Sequence, residues 1–371
     1  MNNCISRISR STFIRYGLLA LAGLATTTSD RTEAKVTTVK RQRLQTLAKG
    51  FNLGHWQRHQ LSDGYYTLAT LRQYKRLGLT YTRLPVILST FFNSKNPSVL
   101  KTDSLAALDA IIQMHVKAGL GIILSPFNHP TRLYSDPAVR ARFVAFFKAF
   151  ATHLRRTNPE YVFIEVMNEP NAATPQQWNR VQVELVKAIR AGAPRHTIVA
   201  SSNVSVSAND WNNVRALPMT QIVTDPNVVY NFHFYEPFVF THQGANWGWR
   251  ASQFMKNIPY PANPLVITPL LPMIQDPEAK AAVEAYGQQY WNREQFVRIL
   301  SPVAKWAKTN GVAVSCNEFG AIPWTVPRSS LLRYLQDVTQ VLESLGIGWG
   351  QWFELDIRDR ELMLALGLKP L

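Results

Sequence analysis

Short apolar segments alternate with longer amphipathic stretches along most of the chain, and this alternation constrains the fold more than any other feature. Four helices are predicted, over residues 103–119, 136–156, 175–191 and 330–345. In the first, Asp103 can cap the helix, apolar residues recur at helical spacing, and Gly119 can end it. Eight segments have the length and composition of buried strands: residues 50–56, 81–85, 121–126, 161–167, 197–202, 228–234, 312–317 and 348–353.

Strands that alternate with helices predict parallel βαβ units, and eight of them predict a single (β/α)8 TIM barrel of the α/β class. We expect the barrel to begin near residue 45, within a catalytic domain over residues 35–371. An open doubly wound sheet fits less well, because no glycine-rich phosphate loop follows the first strand. The connection between strands 6 and 7, residues 236–310, is long and aromatic. Loops of this kind on the C-terminal side of barrel strands form substrate walls.

Residues 1–34 are predicted to be a leader and tether. Arg7, Arg10 and Arg15 precede an apolar run at residues 17–25, which is too short to span a bilayer but suits a signal sequence. Residues 9–15 also resemble a twin-arginine signal, with Ser11 in place of the second arginine. We therefore expect export to the periplasm or the medium, with cleavage after Ala25; an uncleaved anchor is the alternative.

The formal net charge of +16 raises nucleic acid and membrane surfaces as partners. The basic residues are scattered along the predicted helices, so a solvated basic surface is the simpler interpretation and no nucleic acid is expected. The histidines show no metal-ligand spacing, and we expect neither a metal nor another cofactor. Cys4 lies in the leader, so the mature chain would keep only Cys316 and form no internal disulfide. A monomer without an obligatory protein partner is expected.

Two predicted strands end in a carboxylate. Glu169 follows the fourth strand and Glu318 follows the seventh. An ionisable residue that closes an apolar strand is costly to bury without a task or a partner, and the C-terminal ends of barrel strands face the active site. Hydrolysis of a glycosidic bond requires two such carboxyls. One protonates the leaving oxygen, and the other attacks or stabilises the anomeric carbon.

The ordered set of Asn168-Glu169-Pro170, His233-Phe234-Tyr235 and Asn317-Glu318-Phe319-Gly320 resembles glycoside hydrolase family 5, of the retaining (β/α)8 clan. The resemblance runs from about residue 50 to residue 352. It implies a retaining endo-β-1,4-glucanase that acts on β-glucan. A β-mannanase and an exo-acting β-glucanase or β-glucosidase stay open as alternatives. An inactive glycan-binding barrel is the alternative of another class, and the presence of both glutamates argues against it.

The resemblance also implies a role for each matching residue. Glu169 would be the acid/base and Glu318 the nucleophile. Substrate-binding or positioning roles follow for Asn168 at the 2-hydroxyl, Arg83 beside the nucleophile, His233 and Tyr235 at the cleavage point, and Trp352 under the sugar ring. One position departs from the family: Phe127 stands where a histidine is common after the third strand, and His129 is the candidate to supply the imidazole instead.

Other residues near these motifs have simpler interpretations or remain candidates. Glu165 is predicted to pair with an arginine inside the barrel, and Cys316 to pack, although a thiol nucleophile is the alternative. Trp247 is our choice for a wall of the cleft. We expect the pKa of Glu169 to be raised and Glu318 to stay ionised, which gives a bell-shaped pH profile. Further candidates for aromatic platforms are Trp178, Trp249 and Trp291.

Overall fold

The computed structural model describes residues 38–54, 65–206, 213–352 and 356–371, and every structural statement concerns these residues. The predicted leader and Trp56 lie outside them. The strands pair in parallel in chain order, and the last pairs with the first, so the sheet closes. The predicted (β/α)8 barrel is confirmed. The strands are β1 (Lys49–Asn52), β2 (Tyr81–Ile87), β3 (Gly121–Phe127), β4 (Val162–Glu165), β5 (Ile198–Ser201), β6 (Val228–Phe234), β7 (Ala313–Phe319) and β8 (Gly348–Gln351).

The helices surround this barrel, and none of those in the described ranges is both long and apolar enough to cross a membrane. They are α1 (Arg41–Thr46), α2 (Leu68–Leu77), α3 (Leu88–Phe91), α4 (Leu105–Ala118), α5 (Pro137–Leu154), α6 (Pro175–Gly192), α7 (Asn213–Ala216), α8 (Phe238–Thr241), α9 (Pro264–Ile267), α10 (Pro277–Gln288), α11 (Arg293–Asn310), α12 (Arg328–Ser344) and α13 (Arg360–Ala365). Short 3-10 turns cover Thr102–Ser104, Thr131–Leu133, Leu217–Met219, Arg250–Phe254 and Thr268–Met273.

The ends of the helices follow local chemistry, with one correction. Asp136 caps α5, where its side chain accepts from two backbone N–H groups, and Gly119 ends α4 with a φ of 70°. The prediction that Asp103 caps α4 is wrong. Residues Thr102–Ser104 form a 3-10 turn, so the α-helix begins only at Leu105.

The inward-facing side chains of the barrel are apolar near its N-terminal end and polar two residues further along the strands. Near the N-terminal ends of the strands, a small apolar cluster is formed by Val39, Leu47, Tyr81, Ile123, Phe163, Val199 and Val229. Side chains two residues apart on a strand share a face. The next inward positions on β2 to β6 are all buried and polar: Arg83, Ser125, Glu165, Ser201 and Asn231. The apolar cluster closes the bottom of the barrel, and the polar layer supports the site above it.

The long connection between β6 and β7 is confirmed as an insertion with its own helices, α8 to α10. Aromatic residues fasten it to the barrel. Phe240 and Tyr260 of the insertion pack against Tyr334 of α12, with ring centroids 5.2 and 5.7 Å away. Tyr260 also donates a hydrogen bond to Asp337, at 2.9 Å. The first part of the insertion is therefore held at the edge of the barrel.

Candidate active site

Arg83 occupies the centre of the polar layer, and its side chain is fully buried. Its guanidinium meets both oxygens of Glu165, at 2.7 and 2.8 Å, which confirms the prediction that Glu165 pairs with an arginine. The remaining N–H groups face Glu318 and three neutral acceptors. The neutral acceptors are Asn52, Ser125 and Asn168, at distances of 2.8–2.9 Å. All five donors therefore have partners, so the guanidinium is fixed in position.

Glu318 lies near the end of β7 and is almost completely buried. One of its oxygens pairs with Arg83, and the other accepts a hydrogen bond from the Tyr235 hydroxyl at 2.9 Å. Cys316, two residues earlier, is also buried, and burial raises the pKa of its thiol, which fits a packing role. The carboxylate of Glu318 is thus oriented by a cation on one side and a hydroxyl on the other.

Glu169 reaches the site from a loop. The fourth strand ends at Glu165, earlier than the predicted residue 167, and Glu169 adopts a φ of 41°. Positive φ is uncommon for a residue with a side chain, and such positions cluster at functional sites. The neighbouring Asn168 is anchored by its N–H, which donates to the carbonyl of Pro126 at 2.9 Å. The Asn168 amide oxygen is bonded to Arg83, which leaves its NH2 group as the available donor.

His233 connects the two glutamates. Its Nδ1 lies 2.9 Å from Glu169 Oε1 and 3.3 Å from Glu318 Oε2. On the other side of the ring, Nε2 lies 3.5 Å from the side-chain nitrogen of Asn231. The orientation of that amide is set by the backbone N–H of Asn317, which donates to Asn231 Oδ1 at 3.0 Å.

This arrangement assigns the tautomer of His233. Because the Asn231 nitrogen is a donor, Nε2 of His233 must accept, and the ring proton resides on Nδ1. The Nδ1–H then points between Glu169 and Glu318. These three side chains offer ligand atoms within 4.8 Å of one another, close enough to hold a metal ion. A protonated Nδ1 has no lone pair for a metal, so the arrangement suits hydrogen bonding instead.

One carboxyl oxygen of Glu169 and one of Glu318 therefore lie within 4.8 Å of each other. Retaining glycosidases hold their carboxyls about 5–5.5 Å apart, and inverting ones about 6.5–9.5 Å apart to admit a water. The limit in this barrel refers to one oxygen of each carboxyl, and a distance below 4.8 Å between these oxygens favours the narrower class.

The pKa shifts differ from the prediction. Burial raises the pKa of Glu318, and the nearby Nδ1–H of His233 and the positive charge of Arg83 only partly oppose it. Burial acts in the same direction on Glu169, but the hydrogen bond from His233 and the positive charge of Arg83 together outweigh it and lower the pKa. The prediction of a raised pKa at Glu169 is wrong, because it did not include the hydrogen bond from His233 to this carboxyl. The two carboxyls titrate as a coupled pair.

The cleft above the glutamates has a volume of about 280 Å³. Five predicted site residues line it: Glu169, Glu318, Tyr235, Trp247 and Trp352. Five others were not singled out from the sequence, although the first four lie in the connection predicted to form a substrate wall: Phe238, Thr241, His242, Gly248 and Ile322. His242 stacks on Phe238 with ring centroids 3.7 Å apart, and burial lowers its pKa to about 4. For all of the five except Ile322, which follows β7, the location after β6 was the available signal, because the insertion begins there.

Other predicted residues lie behind the cleft. Arg83, Asn168 and His233 do not line it, but they are bonded to the glutamates or to each other. His129 is also outside the lining set. Its Nε2 is bonded to the Tyr134 hydroxyl, and burial lowers its pKa to about 4. The structure thus places His129 within the electrostatic reach of Glu169 but not on the wall.

Three tryptophans predicted as candidate platforms are placed differently from Trp247. Trp247 is 54% exposed on the wall of the cleft. Trp178 is fully buried and donates to the carbonyl of Ser201 at 2.7 Å, and Trp291 is only 5% exposed. Both belong to the core, so the prediction is wrong for them. Trp249 is partly buried, and its Nε1 donates to Glu278.

Comparisons with known proteins agree with this geometry. Residues 39–353 match the family model described as cellulase, glycosyl hydrolase family 5. Endoglucanase C of Acetivibrio thermocellus is 26% identical over 84% of this chain and 94% of its own length. Cellodextrinase A of Ruminococcus flavefaciens is 25% identical over 81% and 83%. Endoglucanase Cel5A of Thermotoga maritima shares the fold, with a TM-score of 0.69 and 22% identity over 88% of this chain and 98% of that one.

Proposed function

The chain belongs to glycosyl hydrolase family 5, and from this premise we propose that it is a retaining endo-β-1,4-glucanase with Glu169 as acid/base and Glu318 as nucleophile. The observation that carries the proposal is the pair of carboxyls within 4.8 Å, one of them fixed by Arg83 and Tyr235. A barrel that only binds glycan needs no such pair, since a buried carboxylate is costly to keep.

In the first step, Glu318 attacks the anomeric carbon while Glu169 donates its proton to the leaving oxygen, and the glycosidic bond breaks. In the second, Glu169 takes a proton from water, and the resulting C–O bond to water releases Glu318. The coupled pair must hold its proton on Glu169 when the first step begins. The reaction proceeds through this form of the pair, and positive charge that develops at the anomeric carbon stabilises the ionised Glu318 in the transition state.

Several groups are suited to the sugar ring at the point of cleavage. The NH2 group of Asn168 is the donor for the 2-hydroxyl, and Trp352 supplies a flat face from the end of β8. Aromatic faces stack on the C–H faces of β-linked sugars, with on the order of 1 kcal/mol for each contact beyond area burial.

An open groove for a long chain needs platforms farther out. Trp247 is one of them, on the insertion. Trp324, which is 70% exposed, extends this side because it lies two residues after Ile322 of the cleft wall. The N–H of Ile322 donates to the carbonyl of Thr241 at 2.9 Å, so the two loops that carry these tryptophans are joined. The names of the endoglucanase relatives support the choice of a β-1,4-glucan as substrate.

The test is product length over time on a soluble β-1,4-glucan, with mannan, xyloglucan and laminarin as competing substrates. We expect a rapid drop in viscosity with mixed oligosaccharides from the glucan. Release of glucose alone, with nearly unchanged viscosity, would replace the endo assignment by an exo-acting β-glucanase. Faster cleavage of mannan than of the glucan would contradict the assignment of β-1,4-glucan as the substrate and identify mannan instead.

We also propose that the enzyme is exported and acts as a monomer on polysaccharide outside the cytoplasm. The support is the sequence of the N-terminus, where three arginines precede the apolar run at residues 17–25. N-terminal sequencing of the protein recovered from the periplasm or medium is the test. An intact Met1 on protein found only in the cytoplasm would contradict the proposal.

A further inference from the structure

A groove of about 560 Å³ lies at the end of the barrel opposite to the glutamates. It is lined by Thr152, His153, Arg155, Arg156, Pro194 and Arg195. The first four residues belong to the end of α5 and the loop that leads to β4, and the last two join α6 to β5. Both segments therefore lie at the N-terminal ends of the strands, whereas Glu169 and Glu318 lie at the C-terminal ends. Nothing in the proposed hydrolysis uses this groove.

The groove has an excess of positive charge. Arg156 and His153 share one acidic partner, Asp109. Arg155 and Arg195 are exposed and form no ion pair within the described ranges. Arginines at the end of a helix offset its negative pole, which amounts to roughly half a charge. Because α5 and α6 both end here, three arginines face two such poles and one aspartate, and they exceed these by about one charge.

Hydrogen bonds fix the backbone at Arg195, and the positive charge of the surrounding arginines acts on the buried residue next to it. The carbonyl of Arg195 accepts hydrogen bonds from Arg43, at 2.8 Å, and from Asn227. The neighbouring His196 has its pKa lowered to about 4, first by burial and then by repulsion from Arg43, Arg190 and Arg195. The same positive field that disfavours a charged imidazole favours an anion in the groove.

We propose that this groove binds the phosphate groups of anionic phospholipids, so that this end of the barrel rests on a membrane and the cleft faces away from it. Arginine forks match the geometry of phosphate oxygens, and basic surfaces are attracted to anionic lipid. The N-terminus supports the lipid as the source of the phosphate. The N–H of Thr38, the first described residue, donates to Pro226 just before β6, at the same end of the barrel. The apolar run at residues 17–25 precedes it in sequence, and the support that this run gives concerns the uncleaved chain.

The test uses the full chain and vesicles of phosphatidylcholine with or without one quarter phosphatidylglycerol. Arg155→Gln with Arg195→Gln removes the two arginines without an acidic partner. The matched control, Arg293→Gln with Arg298→Gln, removes the same charge from exposed positions in the first half of α11, toward the other end of the barrel. All proteins share the same N-terminal segment, so a difference between them belongs to the groove. Hydrolysis of soluble glucan should be equal in all of them, which separates this proposal from the proposed function.

The groove variant should bind vesicles that contain phosphatidylglycerol about twenty-five-fold more weakly than the unaltered chain, from about fivefold for each arginine. The control variant should lose much less, and added salt should weaken binding. Equal losses in both variants would overturn the proposal, because diffuse charge would then explain the binding. Binding of inorganic phosphate without vesicle binding would overturn the assignment to lipid.

Discussion

Replacement of Asn231 by aspartate should change the protonation of His233 while the shape of the site is kept. An aspartate can accept the N–H of Asn317 with one oxygen, as Asn231 does now at 3.0 Å. Its other oxygen then faces His233 Nε2 in place of the amide nitrogen. An acceptor at that position favours a proton on Nε2 in addition to the one on Nδ1. We therefore expect His233 to become an imidazolium bonded to Glu169.

The size of the effect follows from the geometry. We take a charge separation of roughly 4 Å from Glu169 to the imidazolium, roughly 8 Å to the new carboxylate, and an effective dielectric constant of about 20. The attraction then exceeds the repulsion by about 2 kcal/mol. About 1.4 kcal/mol corresponds to one pKa unit. The side chain of Glu169 is 27% exposed, and solvent weakens the attraction. The pKa of Glu169 should therefore fall by about one unit.

The assay is the pH dependence of kcat/KM on a chromogenic cello-oligosaccharide, which reports ionisation in the unbound enzyme. The basic limb marks loss of the proton from the acid/base, so it should move to lower pH by about one unit in Asn231→Asp. In a His233→Gln background, the same substitution adds only negative charge and should leave the limb in place or raise it. A folded Asn231→Asp enzyme whose basic limb stays or moves upward refutes the tautomer assigned to His233.

Three further changes test other parts of the molecule. Glu169→Ala should lower turnover by about 10²–10⁴-fold, and azide, which needs no general base, should restore the second step and give a β-glycosyl azide; an α-azide would contradict retention. Arg83→Lys keeps the charge but loses the fork that holds two buried carboxylates, so urea unfolding should show a loss of about 3 kcal/mol; an unchanged midpoint would remove the structural role of Arg83. His115 is buried and its pKa is lowered to about 4, so the unfolded chain binds the proton first and stability is lost as pH falls from about 6.5 to 4. His115→Gln should reduce the difference in unfolding free energy between pH 7 and pH 4.5 by up to about 2.4 kcal/mol.

The barrel and its glutamates could be predicted from the sequence because both depend on short-range patterns. Each strand is a compact apolar run, and the helices between them have a clear period. Glu318 follows directly from its strand, since it lies within β7 at the C-terminal end. Glu169 was identified from its motif although its strand ends four residues earlier, at Glu165. A loop with positive φ carries it the rest of the way, and no periodicity indicates such a loop.

The tautomer of His233 and the pKa shifts could not be predicted, because they depend on contacts between strands that are neighbours in the barrel but far apart in sequence. Asn231 and Asn317 are 86 positions apart, and their hydrogen bond sets the orientation of the amide. The wrong assignment of Trp178 has the same cause, because the burial of a side chain also depends on contacts between residues far apart in sequence. A tryptophan count cannot separate a ring that is fully buried under β5 from one that is 54% exposed on the cleft, as Trp247 is.

Phe127 shows how the site accommodates a departure from the common family pattern. Its ring is nearly buried, and the guanidinium carbon of Arg83 lies 5.5 Å from the ring centroid. The five N–H groups of Arg83 already meet six acceptor atoms. An imidazole in place of Phe127 would therefore add a polar group where Arg83 needs no further hydrogen-bond partner. An aromatic ring instead covers the cation and keeps water from it. Because a charge interaction strengthens when water is excluded, Phe127 reinforces the contact between Arg83 and Glu318.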